Sequence, residues 1–166
     1  PCCAGCNGGD YDASFAWAMG YSNGNLVPNT AKNFVLENDY KYQMVDGVCD
    51  YESKEQTRIQ VASYTDVTAN DSAALLAAVA QQPVSIAIQA DQPAFQHYSG
   101  GVLTSNCGHQ LDHGVLNVGY GTLNGVDYWK VKNSWGPSWG DKGYILIERS
   151  SSNLCGVLSA ASYPIL

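Results

Sequence analysis

The stretch NSWGPSWG, residues 133–140, gathers two Trp and two Gly around a single Asn. It is too polar for a plain core strand and too aromatic for an ordinary surface loop. In DYWKVKN, residues 127–133, strand alternation puts Trp129, Val131 and Asn133 on one face and Tyr128, Lys130 and Lys132 on the other. Asn133 therefore points to the packed side, where an unpaired amide costs about 1–3 kcal/mol. It needs a partner. The chain has three histidines, His97, His109 and His113, and only His113, in LDHGVLNVGYG, opens a strand of the same apparent sheet. Asn124 and Gly125 form a strong local hairpin signal that brings that strand beside the one ending at Asn133. Pairing around this turn puts both side chains at one end of the sheet. An Asn oxygen that accepts from a ring N–H fixes the tautomer and orientation of the imidazole and leaves its other nitrogen free. Such a pair is the base and the orienter of a nucleophilic site. The structural alternative is a buried His capped by an Asn without chemistry. His97 and His109 read as surface or packing residues, and Trp139 as core.

The elements that must hold this pair come late in the chain. VSIAIQA, GVLNVGYG, DYWKVKNSWG and GYILIER are short apolar or alternating runs separated by Gly, Asn and Asp, which predicts antiparallel strands from Val84 onward. Before them, NDSAALLAAVAQQP predicts a helix capped by Asn70 or Asp71 and stopped ahead of Pro83. DYDASFAWAMGYSNGN predicts a short buried helix beginning near Gly9 and ending in a turn. Residues 23–50 show no clean period and read as a surface connection tied down at Cys49.

A chain of 166 residues suits one domain with a real core, or one complete domain carrying a fragment of another. Fifteen acidic residues against eight basic ones give a net charge of -7, which excludes nucleic acid and anionic membranes as main partners. No apolar run is long enough for a membrane span. Cys49, Cys107 and Cys155 stand alone and far apart, and only Cys2, Cys3 and Cys6 are closely spaced, so disulfides fit better than a metal site. The sequon at Asn70, a glycosylation candidate, agrees with passage through the secretory pathway.

With GCNGG at 5–9, QPVSIAI at 82–88, AFQHYSGGV at 94–102, LDHGVLNVGYG at 111–121, YWKVKNSWGPSWGDKGYILI at 128–147 and CGVLSAASYP at 155–164, the chain resembles the papain-like cysteine peptidases. The likeness is nearest to the cathepsin L and plant papain branch. It implies an α+β, papain-like fold: a β-rich, antiparallel, barrel-like domain over 61–166 carrying His113 and Asn133, and a remnant of the helical domain over 1–60. It implies a cysteine-type endopeptidase, since no occluding insertion is evident, with His113 as general base and acid, Asn133 as its orienter and Trp135 as the shield over both. Gly8 and Gly9 resemble the ledge that binds peptide as an extended strand. Tyr11, Ala87, Leu111 and Ala160 fall where the family builds its S2 pocket, implying preference for an apolar side chain there. Asp112 lies beside that pocket or only holds the turn, and Asp10 stands where relatives often carry an apolar residue.

The family draws its thiolate from a CGSCW-like stretch about 130–150 residues ahead of the His and Asn. His113 lies only 112 residues from the first residue, so that spacing places the nucleophile before Pro1. By resemblance, Cys107 pairs with Cys155 and Cys49 with Cys2 or Cys3, while the family partner of Cys6 lies upstream, which leaves Cys6 within this chain free or paired locally with Cys2 or Cys3. This chain alone is thus expected to be inactive, with peptide or protein substrates for the whole enzyme, the N-terminal part or a propeptide as further partners, and no cofactor. The implied location is lysosomal, vacuolar or extracellular. The alternative is an inactive papain-like domain that binds partners or serves as a structural component of an assembly.

Overall fold

The computed structural model describes residues 7–22, 25–26 and 31–166. The chain forms two compact units, Pro1–Thr65 with Pro164–Leu166, and Asp66–Tyr163.

In the first unit, helix α1 (Tyr11–Ala18) begins where the Asp10 carboxylate accepts the Ala13 N–H at 2.8 Å. Strands β1 (Tyr21–Ser22) and β2 (Asn25–Leu26) form a two-stranded antiparallel sheet. The following stretch is held by dispersed bonds rather than by regular structure. Val35 bridges Gln56, the Tyr51 hydroxyl donates to the Asn33 carbonyl at 2.8 Å, and the Tyr40 hydroxyl accepts the Asp50 N–H at 2.9 Å. The Lys54 ammonium bonds the Asp50 carboxylate at 2.6 Å and, with help from Ser53, holds that carboxyl below its usual range. Ala18 and Val61 are buried, whereas Tyr42, Met44, Val45 and Val48 face solvent. Cys49 is exposed and forms no disulfide with a described residue. Its expected partners Cys2 and Cys3, and likewise Cys6, lie outside the described residues.

The larger sheet consists of strands β3 (Ser63–Asp66), β4 (Val84–Ile88), β5 (Val102–Leu103), β6 (His113–Leu123), β7 (Val126–Lys132), β8 (Tyr144–Glu148) and β9 (Ala161–Ile165), of which β4 to β8 lie wholly in the second unit. Their order in the sheet is β3-β9-β4-β6-β7-β8-β5. The sheet is open and mixed rather than a closed antiparallel barrel. The two-residue β5 lies parallel to β8 at one edge, whereas the β4, β6, β7 and β8 neighbours are antiparallel. Helix α2 (Ser72–Val79) starts at Asp71, not Asn70, because the Asp71 carboxylate accepts the Ala73 and Ala74 N–H groups, each at 2.9 Å. Helix α3 (Pro93–Gln96) is a single turn that sends Phe95 into the core.

Alternation explains the core. Val84, Ile86 and Ile88 of β4, Trp129 and Val131 of β7, and Ile145 and Ile147 of β8 all project inward and are fully buried. Asn124 and Gly125 both have positive φ, 52° and 80°, as a type I′ hairpin turn requires, and Leu123 lies across from Val126. At this turn the Arg149 guanidinium covers the Tyr120 and Trp129 rings and pairs with Asp127 at 3.1 Å. A disulfide joins Cys107 to Cys155, 48 residues apart in sequence. Replacing both cysteines with alanine should lower stability by about 2–5 kcal/mol, and Asp71→Ala by about 1 kcal/mol. Urea unfolding of the two variants checks both values, and equal midpoints for wild type and double variant would contradict the first.

Candidate active site

His113 Nε2 lies 2.8 Å from Asn133 Oδ1, and the same oxygen accepts the Ser134 N–H at 2.7 Å. A reversed amide would set its NH₂ against that backbone N–H, donor against donor, so Ser134 determines which end of Asn133 faces the ring. A carbonyl oxygen can only accept. Nε2 therefore carries the proton, and Nδ1 is the basic nitrogen of the neutral imidazole. The Asn133 N–H donates to the Gly143 carbonyl at 2.9 Å, fixing the backbone beneath. Asn133 is buried, and its Nδ2 has no hydrogen-bond partner among the described residues.

The meeting of these side chains depends on an irregularity in β6. Outward from the hairpin the pairs run from Leu123↔Val126 to Gly119↔Lys130, then shift to Asn117↔Val131 and Leu116↔Lys132. Val118 is the extra residue, a β-bulge. Directly opposed residues share a face. Without the shift, Leu116 would come opposite Asn133 and His113 would emerge on the other side of the sheet. With it, Val115 takes that register, and His113 joins the inward face, across from the buried Ile88 of β4.

Trp135 stacks on the imidazole at 5.3 Å between centroids and 30° between planes. Phe95 and Trp139 meet Trp135 edge-on, at 5.5 and 5.3 Å. Trp139 is itself anchored, its indole N–H donating to the Gln96 carbonyl at 3.0 Å. Behind it, the Tyr98 hydroxyl donates to the Gly101 carbonyl at 2.6 Å, and burial pushes the phenol above its ordinary pKa. Trp135 remains 40% exposed, so it covers the imidazole on one side while facing solvent on the other.

The remaining expected site residues divide between the units. Gly8, Gly9 and Tyr11 belong to the first unit, where both glycines are exposed, Gly8 has φ 91° and Tyr11 opens α1. Ala87, Leu111, Asp112 and Ala160 belong to the second. Ala87 lies across from Gly114 and donates its N–H to the Ala160 carbonyl at 3.0 Å, so those two segments are neighbours. The Asp112 carboxylate accepts the Ala90 and Asp91 N–H groups at 2.7 and 3.2 Å, which ties the turn before His113 to the end of β4. Asn70 is exposed, with its Oδ1 accepting from Asn153 Nδ2 at 3.1 Å. His97 caps α3 at the surface, and exposed His109 has Nε2 3.1 Å from the Ser152 carbonyl.

Of the buried polar residues that escaped the sequence reading, two lie on β6 and just after β4. Asn117, wholly buried, accepts the Gly119 N–H at 3.4 Å within the bulge. Gln89 is buried just beyond β4. A polar residue at an inward strand position marks the first; nothing local marks the second.

This arrangement can hold a neutral imidazole in one tautomer, shielded on one face, with a basic nitrogen available. Residues 1–165 match the family described as papain family cysteine protease. The chain is 47% identical over 165 residues to germination-specific cysteine protease 1 of Arabidopsis thaliana, covering 97% of this chain and 41% of that protein. It is also 47% identical to vignain of Ricinus communis, covering 97% of this chain and 43% of that one. It thus spans less than half the length of these curated relatives. The structure superposes on the bromelain protease of Ananas comosus, solved with the E64 inhibitor, with TM-score 0.85 and 34% identity over 98% of this chain and 72% of that chain. On this sequence match and this shared architecture, the chain belongs to the papain family of cysteine proteases.

Proposed function

We propose that this chain is the part of a cysteine-type endopeptidase that supplies the base and its orienter, His113 and Asn133, to a thiolate contributed by polypeptide preceding Pro1. Residues 1–60 are then the tail of the helical domain and 61–166 the β-rich domain. The observation that carries the reading is the 2.8 Å His113–Asn133 bond with Asn133 Oδ1 held by Ser134. Nδ1 takes the thiol proton, giving a thiolate–imidazolium pair. The thiolate attacks the peptide carbonyl carbon, and the imidazolium returns its proton to the departing amine. Nδ1 then draws a proton from the water that cleaves the thioester, regenerating the thiol. Throughout, Nε2–H stays bonded to Asn133, and Trp135 keeps water off that bond. In the first unit Gly8 and Gly9 bind substrate backbone and Tyr11 meets substrate; in the second, Ala87, Leu111 and Ala160 receive an apolar side chain, with Asp112 holding the turn beside them. The Cys107–Cys155 disulfide favours an oxidising compartment, hence a vacuolar, lysosomal or extracellular enzyme.

Hydrolysis of a Phe-Arg fluorogenic peptide tests this. The whole protein should cleave it and lose activity to a thiol alkylator, whereas the isolated 166-residue chain should show no turnover. Alkylator-sensitive cleavage by the isolated chain would place the nucleophile within it and defeat the assignment. In the whole enzyme His113→Ala should lower kcat/KM by about 10²–10⁴-fold, the usual contribution of a general base. Asn133→Ala, which removes one hydrogen bond to a group that becomes charged, should lower it about 10- to 100-fold. A loss at Asn133 equal to that at His113 would show that the amide does more than orient the ring.

A further inference from the structure

Gln89 is a buried amide in which both ends of the side chain are used, outside the proposed catalytic group. Its Nε2 donates to Asp91 Oδ1 at 2.8 Å, and its Oε1 accepts the Gln110 N–H at 2.9 Å. Its backbone N–H donates to the Cys155 carbonyl at 2.8 Å. Gln89 therefore connects three segments: its own turn after β4, the 107–112 segment leading into His113, and the disulfide-bearing turn at Cys155. The seat is narrow, because a Cβ at Gly108 would overlap Gln89 Oε1. One residue from Gln110, the Leu111 side chain rests over Gly156, where a Cβ would meet Leu111 Cδ2 at 2.6 Å. Leu111 is 40% exposed and can meet a ligand.

His113 needs little from this lock. It is held by its pairing with Ile88, by Asn133 and by the Trp135 stack. Leu111 lies before β6 begins and has no ladder bonds of its own. We infer that Gln89 is a specificity-positioning residue: through Gln110 it fixes the backbone that presents Leu111 over Gly156, and so sets how tightly an apolar substrate side chain is gripped. The inference rests on the reading of Leu111 as a wall of the S2 pocket.

Two variants of the whole protein disturb the lock from opposite sides. Gln89→Leu keeps the buried volume and removes both side-chain bonds, while Gly108→Ala leaves the amide in place and displaces its oxygen. Amide hydrogen exchange reads the lock without any need for activity. Exchange at Gln110 should speed up by about tenfold in each variant, as for loss of one net hydrogen bond, while Val131 and Ile145 stay at wild-type rates. Peptide hydrolysis reads the consequence. The preference in kcat/KM for Leu over Ala at the second position before the cut should fall by about fivefold or more, within the range a few methylenes command. The change should sit in KM, with kcat within about twofold of wild type. Wild-type exchange at Gln110 in both variants would overturn the lock. Faster exchange with unchanged Leu-over-Ala preference would overturn its link to specificity. A wild-type protein without peptidase activity would instead refute the proposed function, leaving the exchange result to stand or fall alone.

Discussion

One residue too many in β6 decides whether the proposed site exists. The hairpin at Asn124 and Gly125 sets a register that, carried on unbroken, sends His113 to the side of the sheet opposite Asn133. The bulge at Val118 reverses that parity over the last stretch of the strand and turns His113 inward. Everything else presupposes it: the 2.8 Å bond, the tautomer that Asn133 imposes, and the stacking of Trp135. A bulge leaves ladder bonds unmade. Here Asn117 meets part of that loss by accepting the Gly119 N–H from within the same strand.

The site carries polar groups that a core chosen for stability alone would not contain. Asn117 is fully buried between Val84 and Val131, its partners across the two neighbouring strands, and its Nδ2 has no partner among the described residues. Asn133 Nδ2 is in the same condition. Each such donor costs about 1–3 kcal/mol. That cost is offset by the dense apolar face these side chains share, where Ile86, Ile88, Trp129, Ile145 and Ile147 are fully buried. Such a rigid face also lets a single oxygen serve two donors, Ser134 N–H and the imidazole, without drifting from either.

The sequence made the pair legible and hid the device that joins it. Alternation in DYWKVKN gave the inward course of Asn133, the Asn-Gly dipeptide gave the hairpin, and Asp71 was one of two caps considered for α2. The bulge was invisible because GVLNVGYG carries apolar or small residues on both faces, so a shift by one residue leaves its pattern nearly unchanged. β5 was illegible for a different reason: two residues have no period, and its parallel pairing with β8 is decided by where α3 and the following glycines deliver the chain. Gln89 was lost because its role comes from Gln110 and Gly108, about twenty residues away in sequence. Asp112 was read as either a pocket residue or a turn holder, and its two backbone amides supply a physical basis for the second role.

The first unit explains why so much of the chemistry is concentrated in the second. Its described residues bury few apolar side chains and leave Tyr42, Met44, Val45 and Val48 in water, with order resting on bonds such as Tyr51 to Asn33 and Lys54 to Asp50. Scattered bonds of that kind, with little buried apolar surface around them, fix side chains less closely than a packed core does. The second unit fixes several of its proposed site residues through a neighbouring strand or turn: His113 across from Ile88, Ala87 bonded to Ala160, and the Asp112 carboxylate on Ala90 and Asp91. His113, Asn133 and Trp135 all belong to that unit, so the geometry of the three is set within one continuous core.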